Sequence, residues 1–276
     1  MKQTKPQPQT KAKAGDQAAR PKTLGLALGG GAFRGLAHIG VLQVFKEQGI
    51  PIDVLVGTSM GSVVGALYAS GMDPHFMQRL CEQLRDRDFL ELRFNRMGLI
   101  SGDRIQSMLR TLTGNKTFAD TRMPFTALAC DLGLSKLCAL REGPLHEAVR
   151  ASIAIPGVFA PHVWNGRLMV DGGVLERVSC LPARELGADY VVAVDVGYRG
   201  YPRESKPNMM NVIMQSLELM EWEILRERTA QADLWITPPL AHINPASIGQ
   251  FDECVAIGRT AAEEAVPAIK AALNLP

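Results

Sequence analysis

The chain has 276 residues, 46% of them hydrophobic, and a formal net charge of +2. That length suits one large domain with a real core or two small ones, and the near-neutral charge argues against a nucleic-acid binder, which needs clustered basic residues. No apolar run reaches the roughly 18 residues of a spanning helix, no apolar leader opens the chain, and five scattered cysteines without a C-x-x-C pair argue against a zinc site or disulfide framework and fit a reducing, cytoplasmic setting.

Residues 1–22 are Lys, Gln, Pro, Ala and Thr with almost nothing apolar, and are expected to be disordered. Lys2, Lys5, Lys11, Lys13, Arg20 and Lys22 face one acid, Asp16. A solvated tail is the simpler expectation, and attraction to anionic lipid head groups is the functional one. Residues 23–276 carry no internal repeat and no linker, so one domain is expected.

Leu24 to Leu28 is apolar at successive positions and predicts a buried strand. Gly29-Gly30-Gly31-Ala32-Phe33-Arg34-Gly35 follows, then a helical pattern from Leu36 to Gln48 closed by Gly49. Val54-Leu55-Val56 runs into Gly57-Thr58-Ser59-Met60-Gly61, and Val63 to Ala69 suits a helix. Strand, sharp turn and helix with a serine at the apex is the layout of a nucleophile elbow, where Gly57 and Gly61 let the backbones approach. A helix N-terminus favours the anion formed during attack by Ser59.

A glycine run at a strand-to-helix turn exposes N–H groups to anions. A dinucleotide fingerprint fits poorly, because the next glycine after Gly29 and Gly31 is Gly35, one residue too far, and the acid Asp53 precedes the second strand. An oxyanion hole is preferred, with N–H groups of Gly30 and Gly31 aimed at an ester oxygen above Ser59. Both loops then lie at the carboxyl ends of parallel strands.

Residues 72–120 read as helical with a break from Asn95 to Gly102, and Phe76, Leu80 and Leu84 form one stripe. The charged run Arg85 to Arg93 reads as a solvated face. Ser101 is placed to cap a helix over Asp103 to Leu112. Phe125 to Asp131 and Leu137 to Leu140 predict a strand pair, and Leu145 to Ser152 a short helix. The apolar loop Ile153 to Pro161 is either a rigid connection or a pocket wall.

Asn165-Gly166 predicts a hairpin that delivers Asp171 at the end of an apolar strand, before Gly172 and Gly173. A carboxylate there is costly unless paired or functional. The plain alternative is a turn residue before Gly-Gly, and position alone leans slightly to it. Tyr190 to Val196 and Leu234 to Ile236 predict strands. Asn208 to Ala232 and Cys254 to Leu273 predict helices, the first with Met210, Ile213, Met214, Leu217, Met220 and Ile224 on one face, read as a core stripe rather than a lipid-facing surface.

Three ordered pieces, β-Gly-Gly-Gly-x-x-Arg-Gly-α, β-G-T-S-M-G-α and a strand ending in Asp171-Gly172-Gly173, resemble the patatin-like phospholipase family, in its bacterial branch similar to neuropathy target esterase. The resemblance extends through Gly35 to Leu42, Ile155 to Pro161 and Gly187 to Val196. It implies an α/β fold, a three-layer α/β/α sandwich with a mostly parallel central sheet. It implies a serine esterase acting on a lipid ester, through Ser59 as nucleophile and Asp171 as base, with no catalytic histidine, metal or cofactor. The oxyanion hole would be the backbone of Gly29, Gly30 and Gly31, supported by Arg34. Relatives in plants have one residue between the glycines and the arginine, whereas Ala32 and Phe33 stand here, so the donors are open by one position. A lipid substrate also implies peripheral membrane contact and no nucleic-acid partner. The rivals are a Ser-His-Asp hydrolase, for which His242 follows Asp171 in the order required, and a non-catalytic lipid-binding scaffold.

Overall fold

Strand β1 (Leu24–Leu28) is buried at every position and forms the middle of the sheet. The structure, a computed structural model, describes residues 22–89, 98–197, 199, 208–227 and 231–276. The basic tail up to residue 21, the charged run beyond residue 89 and residues 228–230 of the expected long helix lie outside the described residues.

After β1 a 3-10 turn, Ala32–Leu36, leads into α1 (Ala37–Glu47). Gly49 ends it at φ 64, a backbone setting that glycine adopts without strain. β2 (Val54–Thr58) pairs parallel with β1, as a strand-helix-strand crossover requires. α2 (Met60–Ala69) follows directly. α3 (Pro74–Gln83) starts with Pro74 behind Asp73, whose carboxylate accepts from the amides of His75 and Phe76. Its buried residues are Pro74, Met77 and Cys81. The Phe76–Leu80–Leu84 stripe is therefore corrected: Phe76 is 46% exposed under the Arg79 guanidinium, while Leu80 and Leu84 line a cavity.

α4 (Asp86–Phe89) is one turn, and α5 (Asp103–Leu112) starts after Gly102, with Ser101 Oγ accepting from the Asp103 amide. β3 (Phe125–Asp131) is wholly buried and pairs antiparallel with β4 (Lys136–Leu140). α6 (Leu145–Ser152) precedes the hairpin of β5 (His162–Trp164) and β6 (Arg167–Asp171). Asn165 and Gly166 both have positive φ, 48 and 75, as that two-residue turn demands. α7 (Leu181–Glu185), β7 (Tyr190–Val194), α8 (Met209–Arg226), β8 (Leu234–Ile236) and α9 (Phe251–Leu273) complete the chain.

The sheet runs β5-β6-β3-β2-β1-β7-β8, with β4 attached to β3. The β3-β2-β1-β7-β8 segment is parallel, and the β4, β5 and β6 pairings are antiparallel. Alternation along the strands divides the core. Leu24, Leu26 and Leu28 face the α1, α2, α5, α6 and α9 side. Ala27, Val54 and Val56 face a smaller layer with Ala183 of α7 and Leu225 of α8. The result is the expected three-layer α/β/α arrangement, and each fully buried Leu, Ile, Val or Phe stabilises it by about 1.5–3 kcal/mol.

α8 departs from the sequence reading. Only Leu225 is buried, while Met209, Val212, Ile213, Leu219 and Met220 are exposed. Its inner side, with Met210, Met214 and Glu218, lines the cavity instead of the core. Helical periodicity marks an apolar face but does not distinguish a packed core from a cavity wall.

Candidate active site

Ser59 stands between β2 and α2 with φ 52 and ψ −123, a strained setting for a residue with a side chain. Two close approaches impose this turn. A Cβ on Gly57 would lie 2.5 Å from the Gly61 carbonyl oxygen, and one on Gly61 would lie 2.1 Å from that of Leu28. The loop is held from outside as well: the Ser59 amide donates to Oγ of the buried Ser152 at 2.9 Å. The Ser62 hydroxyl donates to the Ser59 carbonyl at 2.6 Å.

The sheet register brings Asp171 to the same place. β2 pairs Thr58 with Leu128 of β3, and the next β3 residue, Ala129, pairs with Asp171 of β6. Ser59 and Asp171 thus flank one position of β3. The Ser59 side chain is close enough to the Asp171 carboxylate to act on its proton affinity as a hydrogen-bonding neighbour. Asp171 Oδ1 also accepts from the Gly173 amide at 2.8 Å, so Asp171 is a turn residue and the partner of Ser59 at once. Each of the two residues is 5% exposed. Burial pushes the Asp171 pKa up to about 6, against the opposing pull of the hydrogen bonds from Ser59 and Gly173. An aspartate of ordinary pKa, about 3.9, is a poor base for a hydroxyl, and the raised value makes this one better.

The glycine loop lies against the nucleophile, since a Cβ on Gly30 would sit 3.3 Å from that of Ser59. Its amides differ from expectation. Gly29 N–H donates to the Val194 carbonyl and Gly30 N–H to that of Arg177, each at 3.0 Å. Those two amides are occupied by the backbone, which corrects their assignment as oxyanion donors. Among the described residues, no hydrogen bond takes up the amides of Gly31, Ala32 or Met60. Ala32 and Met60 also line the cavity, so open amides are available there to a ligand's oxygen. The Arg34 side chain is buried and pairs with Glu218 of α8.

His38 secures the loop from below. It is fully buried, and its Nε2 lies 2.8 Å from the Gly29 carbonyl oxygen. A carbonyl only accepts, so Nε2 carries the proton. Burial lowers the His38 pKa to about 4, which keeps the ring neutral. The other histidines bond elsewhere: His75 to Glu47, His146 to Gln106, His162 to Glu147 and His242 to Glu253. Among the described residues no histidine is hydrogen-bonded to Ser59, although His242 lines the cavity.

That cavity measures about 780 Å³, with Ser59 in its wall beside Leu80, Leu109, Phe159 and Met210. Its size and apolar walls suit a hydrophobic ligand with few polar contacts. The loop Ile153 to Pro161 is a wall of it, through Ile153, Ile155, Val158 and Phe159. Buried Arg150 anchors that loop, donating from Nη2 to the carbonyls of Ser101 and Ala160.

Sequence reading missed Ser152 and Glu218. Ser152 ends a helix and gives no local sign of its contact. Glu218 had a usable signal, being the only charged residue between Met209 and Met220. A lone charge on an apolar helix face needs a partner.

Comparison with known proteins bears on the family and the fold. The sequence model of the family described as patatin-like phospholipase matches residues 26–184. An uncharacterized NTE family protein of Mycobacterium tuberculosis is 39% identical over 189 residues, covering 67% of this chain and 52% of that protein. Lysophospholipase NTE1 of Coccidioides immitis is 28% identical over 292 residues, covering 92% of this chain and 18% of its own. The chain therefore spans about half the length of the mycobacterial relative and a smaller share of the fungal one. The crystal structure of VipD from Legionella pneumophila superposes with a TM-score of 0.62 at 14% identity, over 90% of this chain and 67% of that one, a likeness of fold. By its matched residues, the chain belongs to the patatin-like phospholipase family.

Proposed function

We propose that the chain is a serine esterase that cleaves acyl ester bonds of lipids, with phospholipid or lysophospholipid as substrate class. The observation that carries this reading is the juxtaposition of Ser59, in the wall of a large apolar cavity, with the buried Asp171 carboxylate. Ser59 Oγ attacks the ester carbonyl carbon while its proton passes to Asp171. The carbonyl oxygen becomes an oxyanion beside the amides of Gly31, Ala32 and Met60, and each such donor contributes roughly 3–4 kcal/mol to the transition state. The tetrahedral species collapses, the C–O bond to the alcohol breaks, and Asp171 returns its proton to that oxygen. Water then attacks the acyl-enzyme, gives its proton to Asp171, and releases the fatty acid as Ser59 regains its hydrogen.

The acyl chain occupies the cavity, and the exposed apolar residues of α8 at its wall meet the lipid surface. The contact we propose is peripheral; among the described residues no helix is long and apolar enough to cross a membrane. Liposome co-sedimentation, with and without residues 1–22, measures that contact and the share the basic tail has in it.

The direct test joins a fluorophosphonate probe with a lipid panel. Label on Ser59, and release of fatty acid that chelator does not alter, are the expected results. Folded protein that takes no label would favour a lipid-binding scaffold of the same fold.

A further inference from the structure

α8 brings a third carboxyl group to the dyad. A Cβ placed on Gly173 would lie 3.1 Å from Asp171 Oδ1 and 3.1 Å from Glu221 Oε1. Two oxygens that share so near a neighbour are within about 6 Å of each other. α8 packs on the turn Gly172–Val174 that follows Asp171. Glu221 lies one helical turn beyond Glu218, the partner of Arg34, so both acids reach inward from one face of α8. Glu221 is not among the residues lining the cavity, and Gly173 stands between it and Asp171.

We propose that Glu221 is a positioning residue that raises the basicity of Asp171 when its own carboxyl ionises. The proposal rests on the Ser59–Asp171 reading of the site. The groups facing Glu221 are Asp171 from β6, Arg177 from the segment after it, Arg34 from the turn after β1, and Glu218 on its own helix. Burial, and then the neighbouring Asp171, push the Glu221 pKa up to about 8. At neutral pH the Glu221 carboxyl is therefore protonated and neutral while Asp171 is ionised.

The consequence follows from where charge moves. During attack, negative charge leaves Asp171, which takes the serine proton, and appears on the ester oxygen at the glycine loop. A second negative charge beside Asp171 favours that movement, because it raises the proton affinity of Asp171. Ionisation of Glu221 then adds a second, alkaline step to the rate.

The experiment is the pH dependence of kcat/KM by pH-stat on a short-chain soluble ester, for wild type, Glu221→Gln, Glu221→Asp and Asp171→Asn. Wild type is expected to rise near pH 6 and again near pH 8, the second step on the order of three- to tenfold. Glu221→Gln keeps the lower step and loses the upper. Glu221→Asp retains a carboxyl and restores an upper step at a shifted pH. An upper step that survives in Glu221→Gln overturns the proposal. Should Glu221→Gln fail to fold, the aspartate variant decides: an upper step unmoved from wild type overturns the proposal, and a displaced one supports it. Wild-type rates in Asp171→Asn would instead overturn the dyad and take this proposal with it, so the two failures are told apart.

Discussion

Asp171 of β6 pairs across the sheet with Ala129 of β3, and this register sets the carboxylate beside Ser59. The pairing is antiparallel, whereas β2 joins β3 in parallel. A hairpin returning to the edge of a parallel sheet thus delivers an acid to the carboxyl end of β2. A slip of one residue in β6 would turn Asp171 to the opposite face.

Removal of either member of the pair should abolish turnover while leaving the fold intact. Ser59→Ala and Asp171→Asn are expected to lower kcat/KM by on the order of 10³ or more. Ser59→Ala should also lose fluorophosphonate labelling. Near-wild-type circular dichroism with wild-type turnover would contradict the assignment.

The pH profile follows from the Asp171 pKa of about 6. The base must be ionised to take the serine proton, so activity is low below that value and rises as pH passes through it. Moving the buried carboxylate toward water should move this step toward the ordinary range. Leu128→Ser, on the strand beside Asp171, is expected to shift the step to lower pH in a kcat/KM titration.

The elbow depends on close backbone contact more than on any side chain. Gly61→Ala places a methyl carbon 2.1 Å from the Leu28 carbonyl oxygen, and backbone at both positions leaves little room to relax. Destabilisation of about 3 kcal/mol or more is expected, read as a lower Tm in thermal melts, with loss of probe labelling. A variant with unchanged Tm and full labelling would show that the strand and helix have room to separate.

Histidine variants separate a dyad from a triad. His242→Ala should retain most of the esterase rate, because His242 bonds Glu253 and not Ser59. His38→Ala leaves the Gly29 carbonyl without its buried donor, so a loss of about 1–3 kcal/mol in stability is expected, with probe labelling retained. A folded His242→Ala that neither turns over nor takes the probe would move the assignment to a triad.

Ser152→Ala tests the outer support of the elbow. It removes the acceptor for the Ser59 amide, and a cost of about 1–3 kcal/mol is expected for the buried donor left behind. Chemical denaturation, with labelling rate as a second readout, measures it.

Much of this was legible in the residues themselves. The strand into Gly57-Thr58-Ser59-Met60-Gly61, the Asn165-Gly166 hairpin and the helix Leu145–Ser152 follow from short-range chemistry. The α8 stripe was misread because cavity-facing and core-facing residues share one period. The glycine amides were misassigned for a related reason. Gly29 and Gly30 donate to Val194 and Arg177, which are remote in sequence, and no motif names such acceptors.

The sequence by itself determined the pieces: a serine at a forced turn, an acid before two glycines, and a glycine run after a buried strand. Each arises from steric and hydrogen-bonding rules among neighbours in the chain. Only the tertiary structure decided that β6 returns to β3 beside β2, that Gly31, Ala32 and Met60 are the amides left open, and that α8 turns Glu218 and Glu221 inward. Strand register and helix docking depend on contacts between distant segments, and local pattern leaves several such pairings equal in energy until the core is packed.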